Sequence, residues 1–522
     1  MPIIRNPADL FAGARDATLQ TTVCVIGSGF SGAIVAVDLA MAGIEVLLLE
    51  SGSSEPDHRI DSMLDRVDVS GRTQLNFGFS RQLGGASNLW AGRVAPLDPV
   101  DFECREWIPH SGWPISRSDL EPYYVRAGDI LGIPGYSTFH EPGHARPGFV
   151  ATDNIELKSF QWANRPFNAG EYIKETVERT DRLRVLMNAP VVELLERENA
   201  RSVEAAVIAL PDGQTARIQA RHFVIAGGGI QTPRLLLNST RVRSAGIGGD
   251  HGVVGRYLST HPKANMATMV LRAPVSTHHP LFSDQPVTGG VLRYGVGFSA
   301  ASQKTFRLLN HYVQVLPFLE HRANKLFEMI RGSDRFNSPL IDRAALISGF
   351  VPGMGKIAFE MMGRLGGLQR RARKFILRAY LDQYPNPENR VTLSEKKDGH
   401  GMPRVNVTWA FSENDRSSVI AFFERLEREM ESRGIARLDY SRLRTTDDWP
   451  LIGLHSHFMG TTRMGNDPRT SVTTKDGRVH GSDNVFVAGP SLFPNCGYAN
   501  PVFTIAALSL RLADHVKSRP GV

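Results

Sequence analysis

The chain has 522 residues, with 60 Lys and Arg against 53 Asp and Glu, a net charge of +7, 42% apolar residues and 22% charged residues. That length exceeds one ordinary core, so two domains or one elaborated α/β fold is expected, and the ordinary composition excludes wholesale disorder. The cysteines are Cys24, Cys104 and Cys496, without CxxC spacing, which excludes a disulfide framework, a zinc site and an iron–sulfur cluster held by this chain.

Residues 1–20 include Arg5, Asp9, Arg15 and Asp16 and no continuous apolar run. Neither a secretory signal nor a membrane anchor is expected there, and the cytoplasm is the default location. An apolar strand over 22–26 then enters Gly27-Ser28-Gly29-Phe30-Ser31-Gly32, followed by a helix over about 33–41 and a second strand over 44–49 that ends at Glu50. This is a dinucleotide-binding fingerprint. Gly27 allows the tight turn, Gly29 lets the backbone approach a pyrophosphate, and Gly32 lets helix and strand pack closely. The helix N-terminus presents N–H groups to the anion, and Glu50 sits where an acid bonds a ribose hydroxyl.

Residues 201–225 read as a strand, a Pro211-Asp212-Gly213-Gln214 turn and a returning strand that enters Gly227-Gly228-Gly229. A helix is predicted to start near Thr232-Pro233, with Thr at the cap and Pro just inside. Residues 484–488 form another apolar strand that meets Gly489, so three separated segments build one nucleotide-binding sheet. The stretch from about 261 to 449 has a different texture: strand-like runs over 264–271 and 405–409, a turn over 384–390 leading into a strand over 391–393, and a helical stretch over 413–433. A sheet covered by helices, inserted into the nucleotide domain, accounts for it.

Between Glu320 and Tyr380 there are 12 Lys or Arg against 5 Asp or Glu, a surplus equal to that of the whole chain. Leu326, Phe327, Met361 and Phe375 interleave with these charges, which end in Arg370, Arg371, Arg373, Lys374 and Arg378. The region reads as basic amphipathic helices. Ordinary surface helices with solvated charges explain it most simply, and docking on an anionic membrane surface or a partner is the alternative. No nucleic-acid-binding motif accompanies the charge. From Ser491 to Leu510 no residue is charged, but Pro494, Asn495, Asn500 and Pro501 favour a buried strand-to-helix passage over a membrane span.

Five stretches carry a resemblance. They are the fingerprint with Glu50, Leu83-Gly84-Gly85-Ala86-Ser87-Asn88-Leu89-Trp90, Gly229-Ile230-Gln231-Thr232-Pro233, the HxxGTxxMG run from His457 to Gly465, and Asn500-Pro501. In this order they resemble the glucose–methanol–choline (GMC) oxidoreductases. Thr462-Arg463-Met464-Gly465 and Arg478-Val479-His480-Gly481 are similar to the branch of pyranose oxidase and bacterial sugar or glycoside oxidases and dehydrogenases. The resemblance implies an α/β fold, with a Rossmann-type FAD-binding domain over 18–100, 186–258 and 450–518. An inserted α+β substrate-binding domain, an antiparallel sheet covered by helices, would occupy 101–185 and 259–449.

It also implies a chemistry: FAD-dependent oxidation of a secondary alcohol of a sugar or glycoside to a ketone. His457 would take the hydroxyl proton, a task that suits an imidazole, and Asn500 would hydrogen-bond the same oxygen. His455, two residues from His457, is a candidate substrate contact and the rival base. Contacts to FAD are implied for Gly27, Gly29, Phe30, Ser31, Gly32, Glu50, Ser51, Gly85, Ser87, Asn88, Leu89, Val192, Gly227, Gly489, Asn500, Pro501 and Val502. Pyranose oxidases tether the flavin through a histidine at the place of Leu89, and leucine has no nucleophilic atom, so non-covalent FAD is expected. Asn500 also has a purely structural reading as the N-cap of a helix over about 502–515 with Pro501 at its first position. Oxygen, a quinone or a cytochrome partner would reoxidise the flavin. The alternative is a catalytic dehydrogenase subunit for a cyclic polyol or aromatic alcohol, docked to a membrane or electron-transfer partner. A lyase using FAD without net redox is disfavoured, because His457 and Asn500 both match the alcohol-oxidising pattern.

Overall fold

The computed structural model describes residues 3–4, 7–11, 18–56, 64–69, 80–139, 152–210, 213–318, 371–446, 449, 451, 457–519 and 521. The fingerprint strand, Thr18–Ile26, lies at the centre of the first sheet. Val46–Leu49, Leu183–Leu186 and Ile3–Ile4 follow it in parallel on one side, and Thr215–Ile225 pairs with it in parallel on the other. Beyond Thr215–Ile225 the chain turns back as an antiparallel meander through Val203–Ala209 and Val191–Glu196, while Val485–Val487 adds in parallel at its C-terminal end. Val46–Leu49 and Val485–Val487 are uniformly buried, as expected for short strands covered on both faces. Leu183–Leu186 straddles the expected domain boundary between 185 and 186.

The second sheet is antiparallel, in the order Ala436–Asp439, Lys263–Ser276, Arg371–Tyr380, Tyr312–Pro317, Gly290–Phe298, Ile155–Ala163 and Arg93–Val94. Alternation along its strands separates two cores. Val313, Val315, Leu377 and Ala379 pack in one cluster with Phe422 and Phe423 of helix Glu413–Ser432. Tyr312, Tyr380 and Phe160 face the other way, into the cluster shared with the first sheet. A three-stranded sheet joins Arg390–Lys397, Pro403–Trp409 and Leu64–Val69. Among the described residues no helix is long and apolar enough to cross a membrane.

Two expectations need correction. The basic region was read as helical through Tyr380, but Arg371–Tyr380 is a central strand. Its alternating Phe375, Leu377 and Ala379 are buried against the helix-covered face, and that period of two overrides the local charge run. Residues 319–370, the rest of that region, lie outside the described residues. The helix expected at Thr232 instead spans Gly228–Asn238 with Gly227 at the cap and Pro233 inside. Proline has no N–H for the carbonyl of Gly229, four residues earlier. The Thr461 hydroxyl donates to that carbonyl at 2.7 Å instead.

Candidate active site

The fingerprint turn is built for an anion. Gly27 has φ +103°, and a Cβ there would lie 2.7 Å from the Ala226 carbonyl oxygen. A Cβ on Gly32 would lie 1.8 Å from the Gly27 oxygen, so helix and strand meet there backbone to backbone. A Cβ on Gly29 would meet nothing within 4 Å. Gly29 caps helix Phe30–Met41 without any side-chain cap bond. Those features fit a dinucleotide pyrophosphate. The second loop closes on the same place: Gly84 N–H donates to Ser28 Oγ at 3.0 Å, and a Cβ on Gly85 would stand 3.1 Å from the Gly29 Cα. Gly489 approaches Ser31, and Gly227 approaches Gly27.

Glu50 is buried at the end of its strand. Its Oε2 accepts from the Ser28 N–H at 3.1 Å and from the Ser28 hydroxyl, while Oε1 accepts from the Gly52 N–H at 2.8 Å and from the Ser51 hydroxyl at 3.3 Å. The carboxylate therefore ties the two turns together. Ser87 and Asn88 brace the second loop. The Ser87 hydroxyl donates to Gly84 O at 2.7 Å, and the Asn88 amide donates to Leu83 O at 3.1 Å and Gly85 O at 2.9 Å. Leu89 is 49% exposed. Val192 lies in the meander, where its carbonyl accepts from Asn238 Nδ2 at 2.7 Å.

His457 is held by an antiparallel bridge between Ser259 and Met459, with N–H to O distances of 3.0 and 2.9 Å. Two residues out along each arm, that register sets His261 opposite His457. Their ring planes are 4° apart with centroids 4.5 Å apart, and His261 Nε2 lies 2.5 Å from His457 Nδ1, so the rings meet edge to edge through those nitrogens. His457 has φ +63°, a left-handed conformation that costs a non-glycine residue about 1–3 kcal/mol and that the packing around it must enforce. Gly229 supplies part of that enforcement, since a Cβ there would stand 2.2 Å from Phe458 O. Burial, the neighbouring His457 and the Lys263 charge hold the His261 imidazole well below its usual range. His455 lies outside the described residues.

Asn500 is placed by the segment before it. Tyr498 is buried and stacks on Tyr312 at 5.3 Å, with Phe160 5.9 Å away and Lys158 Nζ 4.7 Å from its ring. Asp382 Oδ1 accepts the Gly497 N–H at 2.9 Å, and Asn495 Nδ2 donates to Asp101 O at 2.8 Å. Asn500 Nδ2 donates to Arg93 O at 3.0 Å. The N-cap reading does not hold. Pro501 itself occupies the cap of helix Val502–Lys517, and no side chain bonds the first turn. Pro501 and Val502 are buried at that uncapped terminus.

Sequence reasoning missed His261, the partner of the expected base. Its pairing spans 196 positions, and the only local hint is Pro262 after it, which favours extended backbone.

Family models described as GMC oxidoreductase match residues 112–263 and 385–509. The chain is 27% identical to 6'''-hydroxyparomomycin C oxidase of Streptomyces lividus, over 98% of this chain and 95% of that protein. It is 25% identical to the fructose dehydrogenase large subunit of Gluconobacter japonicus, over 96% of this chain and 98% of that protein. Among solved structures, pyridoxine 4-oxidase from Mesorbium loti superposes with a TM-score of 0.55 at 18% identity, covering 96% of this chain and 99% of the other. The two family models, the alcohol-oxidising relatives and the shared FAD-domain fold together place the chain in the GMC oxidoreductase family, as an FAD-dependent enzyme acting on CH–OH groups.

Proposed function

We propose that the chain oxidises a secondary alcohol of a sugar or glycoside to the ketone, with His457 taking the hydroxyl proton and Asn500 orienting the alcohol. The hydrogen-bonded pair of His457 and His261 supports this reading, because it suggests which nitrogen would do the work. Nδ1 of His457 is committed to His261, so proton transfer is assigned to Nε2. For Nε2 to hold a lone pair, Nδ1 carries the hydrogen and donates it to His261 Nε2. His261 is kept neutral by burial and remains an acceptor when His457 becomes an imidazolium, so no rearrangement accompanies the transfer. His261 then carries its own proton on Nδ1, which has no partner among the described residues. That arrangement costs about 1–3 kcal/mol, in keeping with a site shaped for chemistry.

One Asn500 N–H is taken by Arg93 O, which fixes the amide plane, and the second is the donor assigned to the substrate oxygen. Gly29, Gly85 and the uncapped end of helix Phe30–Met41 would hold FAD without a covalent tether, and when bound it would supply the hydride acceptor. Relatives named for fructose and hydroxyparomomycin C support a polyhydroxylated substrate. Anaerobic mixing of the holoenzyme with a panel of sugars, glycosides and simple alcohols tests the reading: a sugar or glycoside should bleach the yellow flavin. Bleaching by simple alcohols alone, or by nothing in the panel, would overturn it. Turnover with oxygen compared with quinone or dye acceptors then assigns the acceptor.

A further inference from the structure

Strand Arg371–Tyr380 leaves the antiparallel sheet beside both halves of this site, and the residues that follow it are bonded to each half. Tyr380 pairs with Lys263 at the end of the ladder. One residue on, the Leu381 N–H donates to Pro262 O at 2.9 Å. Gln383 continues the grip with its side chain, whose Oε1 accepts the Thr260 N–H at 3.3 Å. Residues 260 and 262 flank His261, so this arm is held on both sides of the histidine that meets His457.

Asp382, between Leu381 and Gln383, holds the other arm. It is fully buried, and its Oδ1 accepts the Gly497 N–H at 2.9 Å. Gly497 lies three residues before Asn500. It has φ +63°, and a Cβ there would stand 2.8 Å from Leu97 Cδ2 and 2.9 Å from Asp101 Oδ2. The carboxylate thus bonds this arm at its N–H while Leu97 and Asp101 abut its Cα, and the buried Tyr498 and Ala499 carry that position on to Asn500. Cys496 Sγ joins the two arms, 3.4 Å from Asp382 Oδ1 and 3.5 Å from Thr260 O.

Both side chains are themselves fixed. Asp382 Oδ2 accepts the Asn310 N–H at 3.2 Å and lies 3.7 Å from Arg105 Nη2, and the Asp382 N–H donates to His311 Nδ1 at 3.1 Å. Gln383 is 1% exposed; its Oε1 also accepts from Trp409 Nε1 at 3.1 Å, and its Nε2 donates to Ala410 O at 3.2 Å. Removing such a buried acceptor strands the N–H that faces it.

We propose that Asp382 and Gln383 are positioning residues for the oxidation. The carboxylate sets the Asn500 arm, the carboxamide sets the His261 arm, and their adjacency in the chain fixes the gap between base and amide. Both act through the groups they hold. The proposal rests on the reading that the alcohol is oxidised between His457 and Asn500, and it adds how that gap is kept.

The test is a pair of double-mutant cycles on the FAD-loaded enzyme, read as the rate of anaerobic flavin bleaching by the best sugar of the panel. Asp382→Asn turns one oxygen into an NH2 facing the Gly497 or the Asn310 N–H, and Gln383→Met removes the acceptor of Thr260. Each should slow bleaching about ten- to a hundred-fold, as expected for a shift of up to about 1 Å at a catalytic group. A residue that acts through Asn500 loses its influence once that amide is gone, whereas general structural damage multiplies with it. Asp382→Asn should therefore cost about two-fold or less on top of Asn500→Ala, and Gln383→Met about two-fold or less on top of His261→Gln. Coupling in one cycle alone supports that residue and overturns the other. Fully multiplicative losses in both cycles, or wild-type bleaching in both single variants, overturn the proposal and leave the oxidation reading standing. Should Asp382→Asn fail to load FAD, the Gln383 cycle decides, and loss of FAD from both variants marks the pair as a folding element and overturns the proposal too. If no sugar bleaches the flavin, or if His457→Ala and Asn500→Ala both bleach at the wild-type rate, the oxidation reading itself falls, and this proposal with it.

Discussion

Gly229→Ala is the sharpest perturbation of the proposed machinery that leaves every reacting group in place. Gly229 lies in the first turn of helix Gly228–Asn238, and its Cα abuts the residue after His457. The added Cβ would stand 2.2 Å from Phe458 O and 2.6 Å from Phe458 C, so the carbonyl must recede by about 1.2 Å to reach an ordinary contact of 3.4 Å. The obstacle is backbone on both sides, which cannot rotate away as a side-chain tip could. Thr461 Oγ1, bonded to the Gly229 carbonyl, ties the two segments together from the other flank. A displacement near 1 Å at a catalytic group costs about a hundred-fold in rate, and overpacking of this kind costs about 1–3 kcal/mol in stability. Stopped-flow measurement of anaerobic flavin bleaching, with the flavin spectrum and thermal unfolding as controls, reads both effects. The variant should bind FAD, unfold slightly earlier and bleach about a hundred-fold more slowly. Wild-type bleaching in a folded, flavin-loaded variant would refute the claim that this glycine seats the His457 segment.

His261→Gln should alter the pH dependence of stability in a definite direction. Burial lowers the His261 pKa in the folded state, so the unfolded chain takes up a proton below about pH 6.5 that the folded chain refuses. This contribution is whole above that pH and is lost as pH falls, by at most about 1.4 kcal/mol per pH unit. The variant's Tm should therefore fall less than the wild type's between pH 7 and pH 5, and parallel profiles would contradict the assignment. Arg234→Met removes one partner of a 2.6 Å ion pair with Asp398 whose side chains are 2% and 3% exposed. It should cost about 3–5 kcal/mol in thermal or denaturant unfolding, and a loss below about 1 kcal/mol would count against the pair. Acid precipitation should release all yellow colour into the supernatant, since Leu89 offers no nucleophile, and colour in the pellet would show a covalent link elsewhere.

The fingerprint was legible because its signals are local and redundant. Glycine spacing, flanking strands and Glu50 all fall within 30 residues, and each glycine answers to one close approach or one opening. The inserted antiparallel sheet was legible in outline, through alternation over 264–271 and the helix after Ser412. What escaped is non-local. Pro233 marked a helix start on local grounds, but the Thr461 hydroxyl, 232 positions after Gly229, donates to the Gly229 carbonyl that the proline leaves without an N–H. Arg371, Arg373, Lys374 and Arg378 were read as a solvated helical face because their charge outweighs the short alternation of Phe375, Leu377 and Ala379. His261 met His457 only through the pairing of Ser259 with Met459, which no spacing in the chain encodes. The side chains of Ser87, Asn88 and Glu50 were expected at the cofactor, and they bond the backbone of the loops that would hold it.

In the proposed reaction the His457 imidazole accepts the substrate proton. His457→Ala, purified with its FAD and mixed anaerobically with the best sugar of the panel, tests it most directly. Bleaching should slow by about two to four orders of magnitude with the flavin still bound, and bleaching at the wild-type rate would rule out His457 as the base.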